Sequence, residues 1–178
     1  MTLSALPEAK PQSAPRILII VAPFYQHIAD MLLAGATARI AEQGAECDVL
    51  EVAGALEIPP AMRIAMEANV YDGFLGLGCV IRGETTHYET VCNESARGIM
   101  EIGTKFGAPV GNGILTVENE QQAIVRADPA QKNKGAEAAT ACLQLVELAR
   151  RVDAAHAEAD SFLPDDAHIQ LAEGGEQV

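Results

Sequence analysis

Residues 72–89 read DGFLGLGCVIRGETTHYE. The stretch changes character twice. Asp72-Gly73 opens a run of apolar and small residues, Phe74 to Ile81, whose length and composition fit a strand. Arg82 to Thr85 form a short polar loop. After Thr86 the pattern turns helical, with Val91, Ser95, Ile99, Ile102 and Phe106 recurring along one face. Gly107-Ala108-Pro109 then stops the helix.

The same alternation extends in both directions. Arg16 to Ala22 is a continuous apolar run, as in a strand buried on both faces. Ile28, Leu32, Ala36 and Ile40 mark a helix closed by Gly44. Glu46 to Val52 is a second strand, and Pro59-Pro60 suits the start of a helix that Met62 to Ala68 continue. A fourth strand spans Val110 to Thr116, and a short helix Glu118 to Arg126. A last helix runs from about Asn133 to Arg151, with Ala139, Leu143 and Val146 on one side. Strands alternating with helices predict an α/β fold: a four-stranded parallel sheet with helices on both faces. In such sheets ligands sit outside the carboxyl ends of the strands. Those ends are Phe24, Gly54 to Glu57, Val80 to His87, and the segment after Thr116.

Domain organisation is simple. Residues 1–15, with Pro7, Pro11 and Pro15, read as a flexible arm. Residues 16–151 form one folded domain, and 152–178 an acidic, disordered tail. That tail holds seven acids and no Lys or Arg, leaving a net charge of -6 on the preceding 151 residues out of -13 in all. An acidic body with an acidic tail repels nucleic acid and anionic membranes. No apolar run is long enough to span a membrane, and no signal peptide is visible. The four cysteines, Cys47, Cys79, Cys92 and Cys142, lie far apart without a C-x-x-C pair, which favours free thiols over disulfides or zinc. A reducing, cytoplasmic location follows.

Gly78 to Thr85 has the outline of a phosphate loop, but Glu84 stands where that motif carries lysine. Three of its inner residues, Cys79, Val80 and Ile81, belong to the strand, so it is no triphosphate cradle. Thr86-His-Tyr-Glu89 matches a capping box, which would aim the amides and positive dipole end of a helix at the strand ends. Gly83 lets a ligand approach the backbone closely. One phosphate group fits there, with its cation drawn from Arg126, Lys132 or Lys134. His87, at the first helical position, can take and return protons near neutrality. Each residue alone also has a structural reading: His87 a solvent-facing residue, Arg126 a cation balancing a helix dipole, Glu57 a helix cap, Phe24 plain core.

Together, GALEIP at 54–59, GCVIRGETTHYE at 78–89, NGILTVENEQQAIVRA at 112–127 and NKG at 133–135 resemble the 6,7-dimethyl-8-ribityllumazine synthase family, over roughly residues 16–151. The resemblance implies a flavodoxin-like three-layer sandwich. It implies condensation of 5-amino-6-(D-ribitylamino)uracil with 3,4-dihydroxy-2-butanone 4-phosphate, releasing phosphate and water, without metal or organic cofactor. By the same resemblance, Phe24 stacks on the pyrimidine. Ala55, Leu56 and Glu57 hold the ribityl chain and heterocycle, and the backbone of Cys79, Val80 and Ile81 reads the uracil edge. His87 transfers protons. Glu84, Thr85, Arg126 and Lys134 serve the phosphate.

The family's site lies between neighbouring subunits of a homopentamer, with Arg126 and Asn112 supplied by the adjacent chain. Asn112 departs from a position that is often aromatic. The turn at Ala127–Asn133 carries Pro129 and no glycine, which favours a free pentamer over a shell of twelve. Two other readings are a flavin- or lumazine-binding or structural paralogue with little catalysis, and a flavodoxin-like regulatory module.

Overall fold

The computed structural model describes residues 13–161. Expectations for residues 1–12 and 162–178, most of the arm and most of the tail, lie outside the described residues. The chain divides into a body, Ser13–Val146, and a second unit whose described part begins at Glu147.

Four strands, Arg16–Val21 (β1), Glu46–Glu51 (β2), Gly73–Ile81 (β3) and Val110–Val117 (β4), pair in parallel in the order β2-β1-β3-β4. The helices are Gln26–Glu42 (α1), Ile58–Met66 (α2), His87–Phe106 (α3), Glu120–Ala127 (α4) and Lys134–Ser161 (α5). One turn of 3-10 helix, Ala55–Glu57, precedes α2. The expected α/β sheet is therefore present, and the strand order explains where a ligand belongs. The chain leaves β1 for β2 on one side and then crosses to β3 on the other. The crevice between the carboxyl ends of β1 and β3 is the topological switch point.

Alternation along the central strands feeds two cores. Ile17, Ile19, Val21, Leu75 and Leu77 pack with Ile28, Leu32 and Ile40 of α1, Ala123 of α4, and Ala139 and Cys142 of α5. Leu18, Ile20 and Phe74 face the opposite way, against Ile58 and Met62 of α2 and Ile99 and Ile102 of α3. These are the three layers: α1, α4 and the body part of α5, then the sheet, then α2 and α3. Each fully buried Ile or Leu stabilises by roughly 1.5–3 kcal/mol, and Ile17, Ile19 and Ile20 of β1 have no exposed surface.

Close approach depends on glycine. A Cβ on Gly135 would lie 2.1 Å from the carbonyl oxygen of Leu32, and one on Gly111 of β4 would lie 2.5 Å from the carbonyl oxygen of Ala138 in α5. The start of α5 is thus seated against α1, and its next turn against the sheet, at distances a side chain would forbid. Gly44 (φ 69°) and Gly107 (φ 66°) adopt the left-handed conformation just after α1 and α3, as their stop signals predicted. The four cysteines are free thiols; Cys79 and Cys142 are buried.

Three expectations need correction. Thr86 precedes α3 with helical backbone angles (φ −67°, ψ −1°) and makes no capping bond with its side chain. The box needs an extended residue there, and its other member, Glu89, instead accepts a hydrogen bond from Arg82 Nη1 at 2.5 Å. Glu57 does not cap α2 through its side chain, because it belongs to the 3-10 turn leading into that helix. Finally, the helix expected to stop at Arg151 runs on to Ser161. Residues 153–161, DAAHAEADS, contain four alanines and neither Gly nor Pro, so helix propensity carries the chain through a stretch judged by its acids alone. In this second unit Arg151 Nε meets Glu147 Oε1 at 2.6 Å, one turn back.

Candidate active site

A cleft of about 410 Å³ opens at the carboxyl ends of β1, β2 and β3, at the switch point. Each strand delivers its following residues to the wall: Phe24 and Tyr25 after β1, Gly54 to Glu57 after β2, and Cys79, Val80, Ile81, Gly83 and Thr85 at the end of β3. The first turns of α3 close one side with His87, Tyr88 and Val91.

Phe24 is not core. It is 74% exposed, with Tyr25 edge-on at 5.1 Å between ring centroids. An apolar ring held open to solvent at the mouth of a cleft is a platform for a flat heterocycle. Ala55 is buried and Glu57 exposed on the 3-10 turn. A Cβ on Gly54 would come within 3.0 Å of Glu57 Oε2, so the carboxylate folds back over that glycine. A carboxylate there accepts hydrogen bonds from hydroxyls.

The β3 edge supplies backbone more than side chains. Arg82 N–H donates to the Val117 carbonyl at 2.9 Å, so the strand-like pairing persists one residue past β3. Burial pushes the Cys79 thiol up to about 12, with Cys92 adding to the effect. Cys79 is therefore a neutral thiol near pH 7, unsuited to nucleophilic attack.

The loop that lacks a phosphate-loop lysine lies beside His87. A Cβ on Gly83 would find nothing within 4 Å. Neither internal packing nor a left-handed φ demands glycine there, so the open space flanks the backbone for a visiting group. The His87 N–H lies 3.4 Å from Thr85 Oγ1, a long contact from the first helical residue to the hydroxyl two residues before it. Helix α3 is 20 residues long and begins at this point, so its positive dipole end faces the cleft.

Four residues singled out in the sequence are not brought to the cleft within one chain. Glu84 is exposed in the loop and does not line the cavity. Asn112 lies on β4, at the sheet edge, with Oδ1 accepting the Ile114 N–H at 3.0 Å. Arg126 is at the end of α4, where Nη1 donates to the Gln122 carbonyl at 3.0 Å. Lys134 pairs with Glu137 one turn along α5. A single chain thus gathers the surfaces for a ring and a hydroxylated chain, the candidate proton carrier and a helix N-terminus. The cations lie elsewhere.

Sequence reasoning passed over Tyr25, Tyr88, Val91 and Arg82. Val91 was read only as part of a helical face. Arg82 is tied to Glu89 and to Glu118, 36 residues on, and its partnership with Glu118 depends on the parallel pairing of β3 and β4, which no local pattern reveals.

Comparison with known proteins identifies the family. A family model for 6,7-dimethyl-8-ribityllumazine synthase matches residues 14–150. The protein of that name from Zymomonas mobilis is 55% identical over 137 residues, covering 77% of this chain and 98% of that one. Its namesake from Novosphingobium aromaticivorans is 57% identical over 136 residues, covering 76% and 97%. The one from Erythrobacter litoralis is 54% identical over 139 residues, covering 78% and 99%. With the family model matched over residues 14–150 and relatives more than 50% identical over nearly their whole length, the chain belongs to the 6,7-dimethyl-8-ribityllumazine synthase family.

Proposed function

We propose that this chain condenses 5-amino-6-(D-ribitylamino)uracil with 3,4-dihydroxy-2-butanone 4-phosphate to give 6,7-dimethyl-8-ribityllumazine, a transferase reaction of riboflavin biosynthesis. The observation that carries the proposal is the convergence of Phe24, Ala55 to Glu57, Cys79 to Ile81, Thr85 and His87 on one cleft. Phe24 stacks on the pyrimidine, the Ala55–Glu57 turn holds the ribityl chain, and the backbone at the end of β3 reads the uracil edge.

The chemistry consists of additions, eliminations and proton transfers. The 5-amino nitrogen adds to the ketone carbon, and water leaves to give an imine. A proton is removed next to the imine carbon, and phosphate departs with the C–O bonding pair. The resulting enol tautomerises to a carbonyl. The ribityl-bearing nitrogen attacks that carbonyl, and a second water leaves as the ring closes. No electron is gained or lost overall, so no redox cofactor is required. His87 carries protons in these steps, a contribution of about 10²–10⁴-fold. Holding two substrates in register supplies much of the remainder.

The phosphate rests on the amides of Glu84 and Thr85, which is why an acidic side chain is tolerated at 84. Its countercharge comes from Arg126 of a neighbouring subunit, whose fork can bind two oxygens, with Lys134 reinforcing the field. That Arg126, Asn112 and Lys134 do not line the cleft of one chain supports a site built between subunits, which we assign to a homopentamer in the cytoplasm. Lacking an aromatic ring, Asn112 offers the neighbouring site a polar amide in place of a stacking face. Mixing both substrates with the protein and following the fluorescence of the lumazine product tests the reading. Product formation is expected; binding of the uracil without turnover would contradict it.

A further inference from the structure

Arg82 stands at the junction of three segments. Its Nε donates to Glu118 Oε2 at 2.8 Å, just past β4, and its Nη1 donates to Glu89 Oε1 at 2.5 Å in the first turn of α3. The guanidinium carbon lies 4.1 Å from the centroid of the Tyr88 ring, which lines the cleft. Both carboxylates lift the Arg82 pKa, and Arg82 in turn lowers that of Glu89. With its two carboxylate partners, Arg82 is not an attractive cation for a phosphate.

The consequence concerns α3. This helix lacks a side-chain N-cap, since Thr86 makes none. Its first residue is His87, and Tyr88 and Glu89 follow directly. Two successive residues of that turn are therefore held by one guanidinium, which is itself fixed to the end of the neighbouring strand. The local link that the sequence suggests, Thr86 with Glu89, is replaced by one that spans β3, α3 and the chain after β4.

We infer that Arg82 is a positioning residue: by clamping Tyr88 and Glu89 to Glu118, it sets the pose of the first turn of α3 and so aims His87 into the cleft. The inference rests on the catalytic reading of His87 above. Exposed ion pairs contribute little to global stability. The clamp should accordingly matter to turnover far more than to folding. Misplacing a reacting group by about 1 Å can cost on the order of 10²-fold in rate.

The test compares Arg82→Met in the full-length wild-type protein and in His87→Ala. In the wild-type background kcat should fall about 10- to 100-fold with little change in KM for either substrate and little change in Tm. In the His87→Ala background the same substitution should have almost no further effect, because the aimed group is gone. Equal fold-losses in both backgrounds would overturn the inference, as would an unaltered kcat. Hydrogen exchange of the segment around residues 83–90 gives a readout independent of turnover. Arg82→Met should speed exchange there and leave β1 unchanged. If the wild-type protein makes no product, the functional reading fails, and unchanged exchange would separately refute the clamp.

Discussion

His87 is exposed at the first position of α3 and lines the same cleft as Thr85, Phe24 and the Ala55–Glu57 turn. A proton carrier in that place accelerates but does not create the reaction, since orientation remains without it. His87→Ala should lower kcat by about 10²–10⁴-fold while leaving KM nearly unchanged, as steady-state kinetics with both substrates will show. Arg126→Ala should act in the opposite way. Loss of a charge-assisted pair should raise KM for the butanone phosphate by about 10- to 100-fold, with the uracil affected far less. An unchanged KM for the phosphate substrate would remove Arg126 from the site. That His87 would stand at the strand-end cleft was legible from its motif and its place after a strand. Arg82 was not, because its meaning depends on Glu118 lying beside it across the sheet. Phe24 was ambiguous until its ring proved to be exposed rather than packed.

Among the elements, strands and helices followed closely from hydrophobic period and punctuation. β1 is a solid apolar run because both its faces are covered, whereas β2, at the edge, is largely exposed. Boundaries were less readable wherever a tertiary partner competed with a local one. Glu89 matched a capping box in sequence but pairs with Arg82 in space, and the alanines after Arg151 extend α5 past the last basic residue. The glycine contacts were also hidden, since sequence gives no clue that Gly135 abuts Leu32. Gly135→Ala places a methyl group 2.1 Å from a backbone oxygen that cannot swing aside. Overpacking of this kind costs about 1–3 kcal/mol. Urea unfolding at fixed protein concentration should show the loss as a lower midpoint with the same slope; an unchanged midpoint would mean that α1 and α5 separate freely.

At the scale of the whole molecule, the residues singled out for the site divide between the cleft and surfaces away from it. The cleft of a single chain is lined by the exposed Phe24 ring, the Ala55–Glu57 turn and His87 at a helix N-terminus, but Arg126, Lys134 and Asn112 do not line it. A ring of subunits joined head to tail would bring one chain's cations to the next chain's cleft. On the proposed pentameric assembly, with Pro129 stiffening the turn before α5, sedimentation velocity should give one species of five chains; a particle near 60 chains would contradict it. The sharing itself is tested most directly by making hybrids. His87→Ala and Arg126→Ala chains, co-expressed in equal amounts, would form rings in which some junctions pair an intact His87 with an intact Arg126. Random assembly restores about a quarter of the junctions, so the hybrids should recover about that fraction of wild-type turnover at low phosphate-substrate concentration. Activity no higher than the mean of the two variants measured separately would show that each chain completes its own site, contrary to this account.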